Sequence, residues 1–290
     1  MIDNKYKGLI LITPAKNEEK NIELVIKSIL NQSLKPNIWV IADDGSEDNT
    51  PNIIKKYSNT YEWIHLIKLN NSQKKRDHIF HVSEVYNKAA EYAINLSNEL
   101  SIDYEYIGIL DADIILEKDY FKKITYEFEK NQRLGIASGV IYNYYNKAKE
   151  RSFFPRGGNR VIRKKCFFDI GGIRLGYSPD AVATALAIVR GWEVKVFEHI
   201  VSYTIRPTSS AEGLWRGYYL RGISRYHLGY SLLGFTLSSF RLLFSRRAYL
   251  LIPYFAGYLS CCFKKEKRSS PPEVIDFYRN SIKRWLKGFN

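Results

Sequence analysis

Apolar and polar positions alternate in blocks along the first half of the chain. Residues 9–12, 38–42, 64–69, 106–110 and 134–142 are short apolar-rich runs that read as strands. Between them apolar residues recur every three or four positions, as on one face of a helix. Ile22, Val25, Ile26, Ile29 and Leu30 do so within 18–31, Val85, Ala89, Tyr92, Ala93 and Leu96 within 82–100, and Phe121, Ile124 and Phe128 within 118–131. Thr50 and Pro51 read as the N-cap and first residue of a further helix. Strands alternating with helices in this way predict an α/β fold, a parallel sheet covered on both faces.

The strand ends are polar, and that is where chemistry is expected. The run Ile-Gly-Ile-Leu-Asp-Ala-Asp (107–113) closes an apolar strand with Asp111 and Asp113. At the carboxyl end of a parallel strand such a pair faces the crevice where open α/β sheets bind ligands. Two carboxylates one residue apart suit a hard divalent cation, which takes oxygen ligands; a solvated turn is the plain structural alternative. Asp43 and Asp44 end the second strand in the loop Asp-Asp-Gly-Ser-Glu-Asp-Asn-Thr (43–50). Helix capping needs one residue of that loop and does not explain the two at the strand tip. No Gly-x-Gly-x-x-Gly follows a strand, and no Gly-rich Lys-Ser/Thr loop occurs, so dinucleotide and P-loop chemistry are disfavoured.

Composition adds bounds. The 290 residues, 45% of them hydrophobic, suffice for one large domain or a domain with an appendage. Cys166, Cys261 and Cys262 make neither a disulfide framework nor a metal-ligand spacing, which fits a reducing compartment. The polar first residues and the short apolar run behind them do not form a secretory signal. Of the net charge of +14, most lies in residues 201–290, with 15 Lys/Arg against 4 Asp/Glu. A basic end of this kind suits nucleic acid, an anionic membrane or phosphorylated substrates.

Three segments in order carry a family resemblance: Ile-Thr-Pro-Ala-Lys-Asn-Glu-Glu (12–19), Ile-Ala-Asp-Asp-Gly-Ser-Glu-Asp-Asn-Thr (41–50) and Leu-Asp-Ala-Asp (110–113). Together they resemble the signature of family 2 glycosyltransferases with the GT-A fold, over about residues 7–210. The resemblance implies an inverting transferase that uses a nucleotide-diphosphate sugar, UDP-, GDP- or dTDP-linked, with Mg²⁺ or Mn²⁺. It places Thr13, Pro14 and Glu18 beside base and ribose, and Asp43 and Asp44 at the base edge and ribose. Arg76 falls in the connector that approaches base or phosphates. Asp111 is assigned to the ribose and the metal, and Asp113 to the metal.

In the acceptor half the resemblance makes Gly157 and Gly158, within Arg-Gly-Gly-Asn-Arg (156–160), an acceptor-side segment; a plain turn is the alternative. Where the family carries Glu-Asp, its Asp the general base, this chain has Pro179-Asp180, followed at the family distance by Arg190-Gly191-Trp192. Asp180 would take the proton of an acceptor hydroxyl, or only orient a lipid phosphate that is already ionised; a helix N-cap is its structural alternative. Arg206 lies where the family closes the diphosphate site. The run 215–222 is loosely similar to the basic, Trp-containing helix of processive members and puts Arg216 on the acceptor side. Its residue order differs, so no polymer synthase is inferred.

Residues 211–290 are expected to form a basic, helical, membrane-associating tail after a GT-A domain over 1–210. The apolar runs 228–244 and 248–263 hold 17 and 16 residues. A spanning helix needs about 20, so helices lying in the headgroup plane of an anionic leaflet are expected, with packed core helices as the alternative. That implies a peripheral or monotopic protein at the cytoplasmic face of the membrane, a saccharide or polyprenyl-linked lipid as acceptor, and no nucleic-acid partner. Two rivals stand beside this reading. One is a sugar-phosphate nucleotidyltransferase, disfavoured because no Gly-rich basic loop follows the first strand. The other is a non-catalytic membrane- or nucleic-acid-binding module.

Overall fold

The structure is a computed structural model and describes residues 7–69, 78–150, 152–206, 213–245 and 247–281. The elements run β1 (Leu9–Ala15), α1 (Ile22–Leu30), β2 (Ile38–Asp43), α2 (Thr50–Ser58), β3 (Ile64–Lys68), α3 (His78–Glu99), β4 (Tyr106–Leu110), β5 (Ile114–Leu116), α4 (Tyr120–Lys130), β6 (Leu134–Asn143), β7 (Lys149–Glu150), β8 (Asn159–Arg163), α5 (Lys164–Asp169), α6 (Pro179–Val189) and β9 (Glu193–Thr204). Helices α7 (Leu214–Leu228), α8 (Leu232–Leu243), α9 (Leu251–Phe263) and α10 (Pro272–Arg279) follow. Arg76 lies outside the described residues.

The strands form one sheet in the order β3-β2-β1-β4-β8-β6-β9-β5, with β7 on the side of β6. β3, β2, β1 and β4 are parallel, and β6 and β9 pair in parallel; β8, β5 and β7 run antiparallel to their neighbours. The α/β sheet covered by helices is therefore as the apolar pattern predicts. Period-two alternation sorts its side chains. Leu9, Leu11, Trp39 and Ile41 pack under α1, α2 and α4, while Ile10, Ile12, Val40 and Ile107 pack under α3, α5 and α6. With both faces covered, the strands read as continuous apolar runs.

One strand departs from the sequence reading. Asn159 and Arg160 belong to no connector: β8 inserts between β4 and β6 at the centre of the sheet. Its polar residues hide it, because Asn159, Arg160 and Arg163 are all buried. The cost of burying two guanidinium groups is offset by hydrogen bonds. Arg163 donates to the carbonyls of Leu134, Phe128 and Asn131 at 3.1, 2.7 and 3.2 Å and to Glu105 at 3.0 Å. The capping assignments also shift by a residue or two. Asn49, not Thr50, precedes α2, and Ser178, not Asp180, precedes α6.

The C-terminal helices build a second, aromatic core around Tyr218, Phe235, Tyr254 and Tyr258. Helices α7 and α9 meet backbone to backbone at Gly222 and Gly257, where an added Cβ would lie 2.0 Å from the carbonyl oxygens of Tyr254 and Tyr219. The chain then returns to the sheet domain: Val274, Phe277 and Tyr278 of α10 join the core that includes α6. His227 of α7 stacks on Tyr177 at 4.2 Å. Among the described residues no helix is long and apolar enough to cross a membrane. The 12 residues of α8 span only about 18 Å.

Candidate active site

The tips of β1, β2 and β4 open on one edge of the sheet. β1 has β2 on one side and β4 on the other, so the crevice lies where the strand order reverses, the usual ligand position in such sheets. Two loops lace together there. The backbone N–H groups of Asn17 and Glu18 donate to the hydroxyls of Ser46 and Thr50 at 3.0 and 2.7 Å, and that of Glu19 donates to Asp48 at 3.1 Å. Asn17 takes the left-handed conformation, φ 53°, which turns the chain into this contact. Ser46, Asp48 and Thr50 are thereby occupied in structure, while Asp43 and Asp44 stay at the strand tip. The Asp44 carboxylate lies 2.7 Å from His81 Nε2 and 3.5 Å from Lys16 Nζ. Thr13 does not face the crevice with its side chain: its hydroxyl is buried and accepts from Trp39 Nε1 at 2.9 Å.

Beside these, three carboxylates gather, and two of them share one arginine. Arg206 donates through Nε to Asp113 at 3.0 Å and through Nη2 to Glu18. Asp111 is hydrogen-bonded instead by the Tyr86 hydroxyl. Burial, and then the charge of Asp113, push the Asp111 carboxyl up to about 6. Burial likewise raises Glu18, against the pull of Asn21 and Arg206. With protonation of Asp111 and Glu18 favoured, this acid cluster is short of positive charge. Its hard oxygen donors at a ligand crevice therefore fit Mg²⁺ or Mn²⁺, with Asp111 and Asp113 as the residues to hold it.

Gly158 closes the floor. Its carbonyl accepts from Asp111 N at 2.9 Å, and a Cβ there would lie 2.2 Å from Asp111 Oδ2, so only glycine lets the carboxylate sit where it does. Gly157 lies next to Asp180, 3.7 Å from its Cβ to a hypothetical Cβ. Asp180 stands in the first turn of α6, its carboxylate 44% exposed and 3.7 Å from the buried Arg160. Arg160 also donates to the Asp180 carbonyl at 3.2 Å and to the Pro155 and Arg156 carbonyls, which fixes α6 against β8.

A cleft of about 1010 Å³ runs from this point. Asp111, Asp113, Gly157, Gly158, Asp180 and Arg206 line one end; Tyr218, Arg221, Arg225, Tyr230, Arg247 and Tyr278 line the other. The cleft thus gathers six of the residues read from sequence and joins them to the tail. Thr13, Pro14, Asp43 and Asp44 stand outside it, toward β2. Arg216, in the exposed first turn of α7, does not line the cleft, whereas Arg221 and Arg225 further along that helix do. Sequence reasoning also passed over His81, Tyr86 and Arg160. The polar connector before α3 concealed His81, and Tyr86 lies one position beyond the inward-facing Val85.

The arrangement is an α/β sheet with acidic strand tips beside a large cleft. A family model described as "Glycosyl transferase family 2" matches residues 10–179, and the chain belongs to that family. It is 31% identical over 176 residues to the "Minor teichoic acid biosynthesis protein GgaA" of Bacillus subtilis, covering 56% of this chain and 35% of that protein. It is 29% identical over 135 residues to the "Poly-beta-1,6-N-acetyl-D-glucosamine synthase" of Staphylococcus epidermidis, covering 47% and 29%. The chain thus spans about a third of the length of these relatives. Among solved structures, S. aureus TarS 1-349 in complex with UDP-GlcNAc has a TM-score of 0.58 at 15% identity, over 97% of this chain and 92% of that one. The mannosyltransferase PcManGT from Pyrobaculum calidifontis, in complex with GDP-Man and Mn²⁺, has a TM-score of 0.57 at 16% identity, over 99% and 83%. The fold is accordingly GT-A-like, and family membership answers the nucleotidyltransferase alternative.

Proposed function

We propose that this family 2 glycosyltransferase moves a sugar from a nucleotide-diphosphate sugar to an acceptor hydroxyl, with inversion and with Mg²⁺ or Mn²⁺ at Asp111 and Asp113. One observation carries the reading: Glu18 and Asp113 meet on a single arginine at the crevice, and Asp111 and Asp180 line the same cleft as Asp113. Neighbours bound to UDP-GlcNAc or to GDP-Man with Mn²⁺ support the donor class.

The tip of β2 lies two strands from that of β4, about 10 Å. That separation lets Asp43 and Asp44 meet the base and ribose while the diphosphate lies at Asp111 and Asp113. His81 and Lys16 fix the Asp44 carboxylate for this contact. A bound divalent cation supplies Lewis-acid stabilisation of the diphosphate. Arg206, held between Glu18 and Asp113, adds a charge to the same group. The acceptor oxygen attacks the anomeric carbon on the face opposite the diphosphate. The bond from that carbon to the phosphate oxygen breaks, with its electron pair left on the diphosphate, and the hydroxyl proton passes to Asp180. Arg160 positions Asp180 for this by holding both its carbonyl and its carboxylate.

The reading extends to the membrane. Leu233, Leu237, Phe240 and Phe244 on and after α8 are 64, 53, 60 and 76% exposed, spaced to share one apolar side of that segment, and exposed apolar patches mark interaction surfaces. Basic residues flank it at Arg247 and at Lys264, Lys265 and Lys267. An amphipathic helix with flanking cations suits the headgroup plane of an anionic leaflet, which is proposed as the cytoplasmic one. A lipid-linked saccharide is then the fitting acceptor.

The test is a panel of UDP-, GDP- and dTDP-sugars with and without Mn²⁺, reading released nucleotide diphosphate for wild type and Asp113→Asn. Turnover of one donor that requires metal and is lost in the variant is the result expected. Failure of every donor to bind in the presence of metal would leave the non-catalytic module as the better reading.

A further inference from the structure

The far end of the cleft has a chemistry that sugar transfer alone does not call for. Tyr218, Arg221 and Arg225 lie at i, i+3 and i+7 on α7 and turn one stripe of that helix into the cleft, and Arg247 joins them from beyond α8. The other cations of the cleft are matched by acids: Arg206 by Asp113 and Glu18, Arg156 by Glu150, Lys149 by Glu198. Among the described residues Arg221, Arg225 and Arg247 have no carboxylate within ion-pair distance. Arg225 is half-buried and is held by neutral groups only. Its Nε donates to the Tyr254 hydroxyl at 3.2 Å, its Nη1 to the Tyr230 hydroxyl, and its guanidinium lies 4.6 Å over the Tyr230 ring. Arg221 lies 4.9 Å over the Tyr218 ring.

Charge withdrawn from water without a counter-ion is costly, yet here the surroundings are rigid. The Gly222–Gly257 contact locks α7 on α9, and so sets Arg225 against Tyr254. Tyr230 is fixed in turn: its carbonyl accepts from Tyr258 Oη at 2.8 Å and from Arg268 at 3.2 Å. Its ring stacks on Tyr278 at 4.9 Å, and the Tyr278 hydroxyl donates to the carbonyl of Ala181, the residue after Asp180. Arg225, pre-organised by these contacts and tied through Tyr230 and Tyr278 to the helix that carries Asp180, is built with Arg221 beside it to hold an anion near the reacting hydroxyl.

The geometry points to a phosphate-binding subsite at Arg221, Arg225 and Arg247 that takes a phosphate or diphosphate ester carried by the acceptor. This rests on the transferase reading and deepens it. Planar guanidinium groups bind phosphate oxygens in forked, charge-assisted pairs. The exposed apolar face of α8, which leads into Arg247, is where the ester's hydrocarbon would lie. The subsite is separate from the carboxylate cluster, which needs a cation before it can receive phosphate.

The experiment uses the full chain with saturating UDP and Mn²⁺ and titrates geranyl diphosphate, with geraniol and inorganic pyrophosphate in parallel, by calorimetry. Vesicles with and without phosphatidylglycerol form a separate arm. Saturable binding of geranyl diphosphate is expected in the presence of UDP, with geraniol at least about tenfold weaker. Arg221→Gln and Arg225→Gln should each weaken it about tenfold, and Arg225→Lys should restore part of the loss. Arg221 is exposed, so Arg221→Gln keeps the test valid if the Arg225 variant misfolds. Vesicle binding should not change in Arg221→Gln, which separates an acceptor phosphate from a lipid headgroup. Displacement by UDP, equal affinity in Arg221→Gln, or loss only of vesicle binding would each overturn the subsite. Wild type that binds neither UDP nor any nucleotide sugar would instead sink the transferase reading.

Discussion

The two ends of the cleft are electrostatic opposites. At the strand tips, Glu18 and Asp113 share Arg206 with Asp111 beside them, and protonation of Asp111 is favoured up to about 6. At the tail, Arg221, Arg225 and Arg247 face the cleft among tyrosines. Each end lacks the charge its ligand would bring: a cation with its diphosphate at one, an anionic acceptor at the other. The construction differs as well. The acidic end is set by short loops on a sheet buried on both sides. The basic end is set by helices whose core is aromatic and whose outer face is apolar. The proposed donor site thus sits on the sheet that is buried on both faces, and the proposed acceptor wall on the helices that carry the exposed apolar side.

Mutations that break this division rank by expected effect. Asp180→Asn should lower turnover with acceptor about 10²- to 10⁴-fold, the range for loss of a general base. UDP affinity, measured by calorimetry, should be retained, because Asp180 belongs to the acceptor side. Gly158→Ala forces Asp111 off its seat and should cost about 100-fold in turnover, as a 1 Å misplacement does; loss of UDP–Mn²⁺ affinity would report the same displacement. Gly257→Ala should destabilise the chain by about 1–3 kcal/mol through overpacking of α7 on α9, read as a lower Tm, and should disturb the basic end before the acidic one.

The smallest effect is a pH dependence. The Asp111 carboxyl titrates at about 6 in the fold, above the roughly 3.9 of an unfolded chain. The folded state therefore binds the proton more tightly, and the metal-free protein loses stability as pH rises from about 4 to about 6. Asp111→Asn should remove that penalty. A Tm gain worth on the order of 1 kcal/mol at pH 7.5, after allowance for solvent screening, should fade toward pH 4. An unchanged difference across that range would show that burial and the charge of Asp113 do not raise the Asp111 carboxyl as described.

The acidic end was largely legible in the sequence. Apolar strands that stop abruptly at Asp43-Asp44 and Asp111-Ala112-Asp113 announce a sheet edge, because nothing in a core would place carboxylates there. The partners that set those carboxylates were not legible. His81 comes from a helix start masked by polar residues, and Tyr86 sits beside an inward apolar position. β8 was missed because its Asn159, Arg160 and Arg163 look like surface yet are buried on carbonyl groups. At the basic end, charge and apolar runs flagged the tail, but only the helix crossing at Gly222 and Gly257 shows that Arg221 and Arg225, rather than Arg216, turn into the cleft.

The most direct test of the central claim is nucleotide binding with and without metal. Calorimetric titration of UDP and GDP into wild type and Asp113→Asn, each with Mn²⁺ and with EDTA, should give one nucleotide diphosphate that binds only with Mn²⁺ and only to wild type. Equal binding in EDTA, or undiminished Mn²⁺-dependent binding by Asp113→Asn, would contradict the assignment of the acidic strand tips as a cation-assisted donor site.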